Sequence, residues 1–306
     1  MKNRIQLFCL FITVLQCAQL NAQTPEIIDV ESAIKNEKAL SFNDFADEVK
    51  NIPLETTNNN LIGRINFIKT STEFIFVATF NPAALYRFDR SGKFLNKIGR
   101  KGRGPNEYNY IYKIGINEVK NEVFVLCGDL LRLLIYDFDG TFKRDLNDIV
   151  YPSKIIKEFQ SKPFEELEFI YEDYFIVPQC NFNGATPYSY EVYTHDGKFI
   201  KKAVKPVEYT TNMAMSTVYE FSYFTFDNIF YTKENLLNDT LYKVTPSLEF
   251  QPRYIFDEGK YRTPVEFRKD FENFIKKKNF KFIQLMKIFE SKRYIIFFFV
   301  FDKSDR

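Results

Sequence analysis

LYRFDRSGKFLNKIG at residues 85–99, LLIYDFDGTFKRDL at 133–146 and YEVYTHDGKFIKKAV at 190–204 are three copies of one unit. Each reads as a strand, a tight turn and a second strand, because apolar and polar residues alternate on either side of Ser91-Gly92, Asp139-Gly140 and Asp196-Gly197. Asp-Gly in such a setting is a strong hairpin signal, and a two-residue turn would need positive φ at both of its positions. The Phe after each turn, Phe94, Phe142 and Phe199, gives spacings of 48 and 57 residues. A fourth copy, DTLYKVTPSLEFQPRYIFD from Asp239, lacks the Gly but places Phe250 another 51 residues on.

Two further strand-like runs precede each hairpin: LIGRINFIKT and EFIFVATF, YKIGIN and EVFVLC, ELEFIYE and YFIVPQC, TVYEFSYF and NIFYTK. Four short antiparallel strands repeated every ~50 residues are the pattern of a β-propeller blade. A β-sandwich would show strands without this long period. The expected fold is therefore all-β, with about four complete blades. FIQLMKIFES and RYIIFFFVFDKSDR match the first two strands of a fifth, and the remaining strands of that unit and any sixth are missing. A propeller closes into a ring, so the chain either closes in an unusual way or is a truncated form of a longer one; truncation is the expectation, because YIIFFFVF would be left as an unprotected edge. One segment interrupts the repeat. In TPVEFRKDFENFIKKK, Thr263, Pro264 and Glu266 form a capping box, and Phe267, Phe271, Phe274 and Ile275 make one apolar stripe, so a helix is expected near 264–278.

Composition agrees with the strand reading and removes much enzymology. Phe (35) and Tyr (19) are abundant, Gly (11) and Pro (12) are scarce, and Trp is absent. Flat rings pack well on pleated, half-buried surfaces. The single histidine excludes His pairs and multi-histidine zinc sites.

The start, MKNRIQLFCLFITVLQCAQLNAQTPEI, has Lys2 and Arg4 ahead of an apolar run and then small or polar residues, the layout of a secretory signal. Cleavage after Ala22 makes residues 1–22 the signal peptide and 23–306 the propeller domain. A second reading makes Cys17 a lipid-attachment cysteine; Gln16 stands against it, since that position normally takes Gly, Ala or Ser. Export to the periplasm or cell surface is expected either way, with a membrane contact only through such an anchor. Without residues 1–22 the chain carries 40 basic and 40 acidic side chains. Residues 260–306 hold 13 of the basic and 6 of the acidic groups, read as a solvated helix face rather than an anion patch. A nucleic-acid partner is not expected. Of the four cysteines, Cys127 and Cys180 remain, read as buried free thiols, with a disulfide between them as the alternative.

From Ile98 the chain runs IGRKGRGPNEYNYIYKIGINEVKNEVFVLCGDLLRLLIYDFDGTF, with Gly99, Gly102, Gly104 and Tyr108 followed by strands at 123–129 and 133–142. This resembles the NHL-type repeat. With the opening IIDVESAIKNEKALSFNDFADEVKNIPLETTNNNLIGRI, residues 26–306 resemble an exported bacterial family of six-bladed β-propeller proteins, IPLETT at 52–57 and GRKGRGPNEY at 99–108 being the most specific marks. The resemblance implies a six-bladed ring, an exported address and members longer at the C-terminus; the family's biochemical role is largely unassigned. It also implies that an N-terminal strand completes the last blade, so that residues 45–55 await a blade this chain lacks.

GRKGRGPNEY is the candidate ligand site: Arg100, Lys101 and Arg103 among glycines present cations and backbone N–H groups to an anion, with Tyr108 beside them. No Gly-Lys-Ser/Thr and no helix follow, so it is not a P-loop, and glycines for a tight blade-to-blade passage are the competing reading. Tyr108, Tyr110 and Tyr112 offer rings for stacking a sugar. His195 reads as a surface residue beside a turn, since no nucleophile and acid converge on it. Asp89, Asp139 and Asp196 are explained by turns, and Asp129, Asp137 and Asp139 form no calcium loop, so no metal, cofactor or catalytic residue is assigned. The expected function is a non-catalytic binding module for a protein, peptide or glycan; the alternative is a glycan-active hydrolase or lyase working at the central channel.

Overall fold

The computed structural model describes residues 24–35, 41–58, 60–127, 132–146, 168–171, 173–179, 187–209, 221–235, 237–269 and 282–301. The signal segment, Cys17, Asp129 and Cys180 lie outside them.

Four antiparallel sheets follow one another along the chain. The first is β2 (Ile65–Thr70), β3 (Phe74–Thr79), β4 (Ala84–Asp89) and β5 (Phe94–Lys97). The second is β6 (Ile111–Asn117), β7 (Glu122–Cys127), β8 (Arg132–Asp137) and β9 (Phe142–Asp145), and the third is β10 (Glu168–Ile170), β11 (Tyr174–Pro178), β12 (Tyr190–Thr194) and β13 (Phe199–Ala203). The fourth is β14 (Phe221–Phe226), β15 (Ile229–Glu234), β16 (Thr240–Val244) and β17 (Phe250–Asp257). Each is a strict up-and-down meander. Among the described residues the protein is all-β and β-propeller-like with four blades. A two-stranded sheet, β18 (Ile283–Glu290) with β19 (Ile295–Phe301), packs beyond the fourth.

Both faces of a middle sheet are buried, which is why β7 reads Val-Phe-Val-Leu-Cys without alternation. One face meets the sheet before it and the other the sheet after it. Phe76, Leu85, Val123, Val125, Leu134 and Tyr136 close the joint between the first and second sheets. Phe124, Ile135, Phe175, Val177 and Tyr193 close the next, and Ile176, Tyr190, Val192, Phe221 and Phe230 the one after. Aromatic rings meet edge to face or stacked within these joints, as at Phe74–Phe138 (5.6 Å, 83°) and Phe175–Tyr193 (5.6 Å, 13°). Along the inner strands Lys113 reaches from β6 to the Tyr223 hydroxyl of β14, its ammonium 4.2 Å from that ring's centre.

The hairpin turns differ from the two-residue expectation. Only the Gly of each pair has positive φ: +90° at Gly92, +96° at Gly140 and +97° at Gly197. The Gly N–H donates to the residue three back, as Gly140 does to Asp137 (2.9 Å), and the ladder slips by one residue just before the turn. These are three-residue loops closed by a glycine bulge, whose twist fits the strands with one left-handed residue instead of two. The fourth copy has the same bonds, with Leu248 N–H donating to Thr245 (2.8 Å) and Leu248 itself at φ +64°.

The N-terminal segment also departs from expectation. Residues 45–55 form no strand. Instead β1 (Glu26–Asp29) adds to β17 in parallel as a fifth strand of the fourth sheet, held by Arg253 on Glu26 (3.0 Å). Ile52 and Leu54 lie against Ile75, Val77, Tyr86 and Phe88, covering the outer face of the first sheet, and Glu55 N–H donates to Gly92 (2.8 Å). Of the helix expected near 264–278, Val265–Lys269 is helical, Pro264 precedes it, and residues 270–278 lie outside the described residues; the Thr263 hydroxyl donates to Ile283 (3.0 Å), tying the helix entry to β18.

Candidate functional site

Connections from one sheet to the next, and those between the second and third strands of a sheet, gather at one end of the stack. Residues 98–110 form one such connector. Tyr108 anchors it: its ring is buried, and its hydroxyl donates to Ile98 (2.8 Å) and accepts the Leu85 N–H (3.2 Å). Burial pushes its pKa well above the ordinary tyrosine value. Tyr108 therefore shapes the loop from below and presents no ring to a ligand.

Glu107 decides what the loop can bind. Its carboxylate accepts the Gly104 N–H (2.8 Å) and pairs with Arg100 Nε (2.6 Å), and these contacts hold it below its ordinary pKa. A Cβ on Gly102 would stand 1.9 Å from Glu107 Oε2, so the glycine there makes room for this carboxylate. The Gly102 and Gly99 N–H groups are taken as well, by the carbonyls of Tyr108 (3.0 Å) and Gly140 (3.3 Å), so the glycine donors that the sequence offered to an anion are occupied from within. On the other side Arg132 donates to the carbonyls of Gly104 (3.2 Å), Pro105 (2.9 Å) and Glu107, and Tyr136 to that of Asn106 (3.0 Å). The loop is a fixed bracket from which Lys101 and Arg103 project, exposed and without an ion pair among the described residues. Arg100 is 81% exposed in spite of its pairing.

Two residues beyond Tyr108 the chain enters a row of rings that the sequence reading only half identified. Tyr110 stands between Phe80, at 5.0 Å and 88°, and Tyr112, at 4.6 Å and 59°. The Arg64 guanidinium lies 5.7 Å from the Phe80 ring centre, and Phe80 is 43% exposed. Phe80 belongs to the β3–β4 connection and Arg64 to the entry of β2, joined by the Phe80 N–H on the Arg64 carbonyl (2.8 Å). Gly63 is required there, because a Cβ would come 2.5 Å from the Asn81 carbonyl. Tyr110 and Tyr112 were legible as stacking candidates. Phe80 was not, since one Phe among 35 carries no signal until the fold sets it beside Tyr110.

Other polar clusters are used for structure. His195 is not the free surface residue expected: its Nε2 lies 2.6 Å from Glu122 Oε2 and 2.6 Å from Arg144 Nη2, across the second and third sheets. The repeat position explains it, because the aligned Phe138 likewise reaches back to Phe74 and Phe76 of the sheet before. Glu122 also takes Arg144 in two bonds (2.8 and 3.1 Å) and Lys143 (3.1 Å). Burial would raise its pKa, but these partners prevail and hold it at about 2. Lys233 is fully buried, donating to the carbonyls of Glu234 (2.9 Å) and Asn238; burial lowers it to about 8 and raises the neighbouring Glu258 to about 7. Cys127 is a free, buried thiol, pushed up to about 12 by burial. Asp89 and Asp139 accept N–H groups within their own turns. No group of three or more metal-ligating side chains is found among the described residues, and no helix among them is long and apolar enough to cross a membrane.

Sheet after sheet joined face to face, with a loop end carrying rings and cations, defines a β-propeller-like protein. The family called Domain of unknown function (DUF4934) matches residues 25–306, and the chain belongs to that family. A solved structure from Bacteroides fragilis, of a protein classed as exported, is similar at a TM-score of 0.60 and 16% identity over 85% of this chain and 74% of that one. A DUF4221 protein from Bacteroides vulgatus is similar at a TM-score of 0.51 and 13% identity over 79% of this chain and 71% of that one. At such identities the likeness is one of fold. No curated protein matches.

Proposed function

We propose that this protein is an exported, non-catalytic binding module, built on the plan of a six-bladed, NHL-like propeller, which takes a protein, peptide or glycan partner at the loop end of its first two sheets. The observation that carries the reading is the ring row Phe80–Tyr110–Tyr112 beside Arg64. Aromatic faces held by a rigid scaffold give contact area at small entropic cost, which suits recognition. Export is supported by the N-terminal layout and by the B. fragilis protein of the same fold.

The test is a screen of the purified chain against soluble polysaccharides, peptides and protein partners by calorimetry, with Phe80→Ser and Tyr110→Ser compared at equal melting temperature. A ligand whose affinity drops at least tenfold in both variants is the expected outcome. A ligand indifferent to both, or turnover of any glycan in the screen, would falsify the reading.

A further inference from the structure

We infer that the ligand of this surface is an acidic glycan, a chain of sugars bearing carboxylate or sulfate groups; the inference rests on the binding role just proposed and assigns the chemical class of its ligand. Three observations meet here. The ring row offers apolar faces that are angled to one another and reached from solvent at Phe80. A sugar places its C–H face on such rings while its hydroxyls stay hydrated.

The second observation is charge. Arg64 stands at one end of the row, and the connector that leads into Tyr110 carries Arg100, Lys101 and Arg103, all exposed. The acidic side chain inside that connector, Glu107, is taken by Gly104 N–H and Arg100 Nε, so it offsets Arg100 and leaves Lys101 and Arg103 as the outward cations without an ion pair among the described residues. Cations at a solvated rim attract anions in a salt-dependent manner and are not shielded by burial.

The third observation is rigidity. Arg132, Tyr136 and the Tyr108 hydroxyl bind the connector's own carbonyls, so the cations sit on a bracket that does not have to be ordered when a ligand arrives. Because the glycine N–H groups of the connector go to Glu107 and to the carbonyls of Tyr108 and Gly140, contacts to the ligand come from long side chains, which suit the spaced charges of a polymer better than the tight cradle a lone phosphate needs.

The test uses polygalacturonate and its fully methyl-esterified counterpart, which share a backbone and differ in charge, with dextran sulfate and dextran as the sulfate pair. Calorimetry at low and high salt is run on the full chain and on Lys101→Glu/Arg103→Glu. Binding to at least one acidic polymer tenfold or more tighter than to its neutral partner, weakened tenfold or more by the double variant and by salt, is expected; the two pairs tell carboxylate from sulfate. Equal binding of the acidic and neutral polymers overturns the inference while leaving a sugar-binding role standing. Equal or tighter binding of polyglutamate or of single-stranded DNA overturns it in favour of an acidic peptide or of unspecific polyanion capture. If no polymer binds and the Phe80→Ser protein behaves as the parent toward every ligand found, the underlying binding reading fails instead. Arg132→Ala adds a control, since it loosens the bracket without removing a projecting cation: it is expected to weaken acidic-polymer binding several-fold, and an unchanged affinity counts against a preformed site.

Discussion

Leu248 occupies a place that three other repeats give to glycine. It holds φ at +64° with its side chain buried against Tyr190, Val192, Phe221 and Val244. Left-handed backbone costs a branched residue about 1–2 kcal/mol, whereas removing a buried leucine side chain costs about 2–5 kcal/mol. Burial prevails, so Leu248→Gly is expected to lower stability by about 1–3 kcal/mol in urea titration, and a rise in the urea midpoint would show that the backbone term is the larger. Tyr108 poses the same kind of question for a hydroxyl. Tyr108→Phe keeps the ring but leaves Ile98 C=O and Leu85 N–H short of a partner, and a loss of about 1–3 kcal/mol is expected by thermal melting, together with faster tryptic cleavage after Arg103.

At the scale of the element, β19 is open to pairing with another chain. It pairs with β18 alone among the described residues, and Phe298 on it is 56% exposed. An apolar strand with a bare ladder edge is a template for another chain. Phe298→Lys is expected to lower concentration-dependent association, read as a smaller hydrodynamic radius at high concentration, with the secondary structure unchanged; equal association in both proteins would place the sticky surface elsewhere. The 98–110 connector shows the opposite design. Its irregular backbone is satisfied almost residue by residue, by Arg132, Tyr136, Tyr108 and Glu107, so a segment rich in glycine is nonetheless fixed. Glycine there serves the close approach of Glu107 rather than mobility.

At the scale of the molecule, the sheets are held by apolar joints and by polar contacts between them, among which is the latch at Glu122 between the second and third. Glu122 carries a pKa depressed from 4.5 to about 2, so its stabilising contribution is full above pH 4.5 and is lost as pH falls toward 2. That depression corresponds to roughly 3 kcal/mol. Acid unfolding followed by circular dichroism is expected to steepen across that window, and Glu122→Gln is expected to flatten the profile there while lowering stability at neutral pH. A profile identical to the parent's would mean that the latch contributes nothing. Lys120 on Asp173 (2.6 Å) spans the same two sheets at the surface and adds far less, because water screens it.

Strand order, the positions of the hairpins, the four repeats and the two strands that follow them were readable from the chain, because alternation punctuated by turn residues is a local property that survives without tertiary information. Tyr110 and Tyr112 were readable as rings, and Arg100, Lys101 and Arg103 as cations, for the same reason. What they do together was not. That Glu107 turns inward and occupies the loop's donors, that Tyr108 is buried, that Phe80 stands beside Tyr110 and that His195 closes on Glu122 are decided by contacts between residues distant in sequence or by the path of an irregular loop, and neither leaves a periodic trace. The placement of residues 26–29 on the fourth sheet and of Ile52 and Leu54 on the first belongs to the same class: apolar residues in the sequence state only that they will be covered, and which surface covers them is settled when the sheets come together.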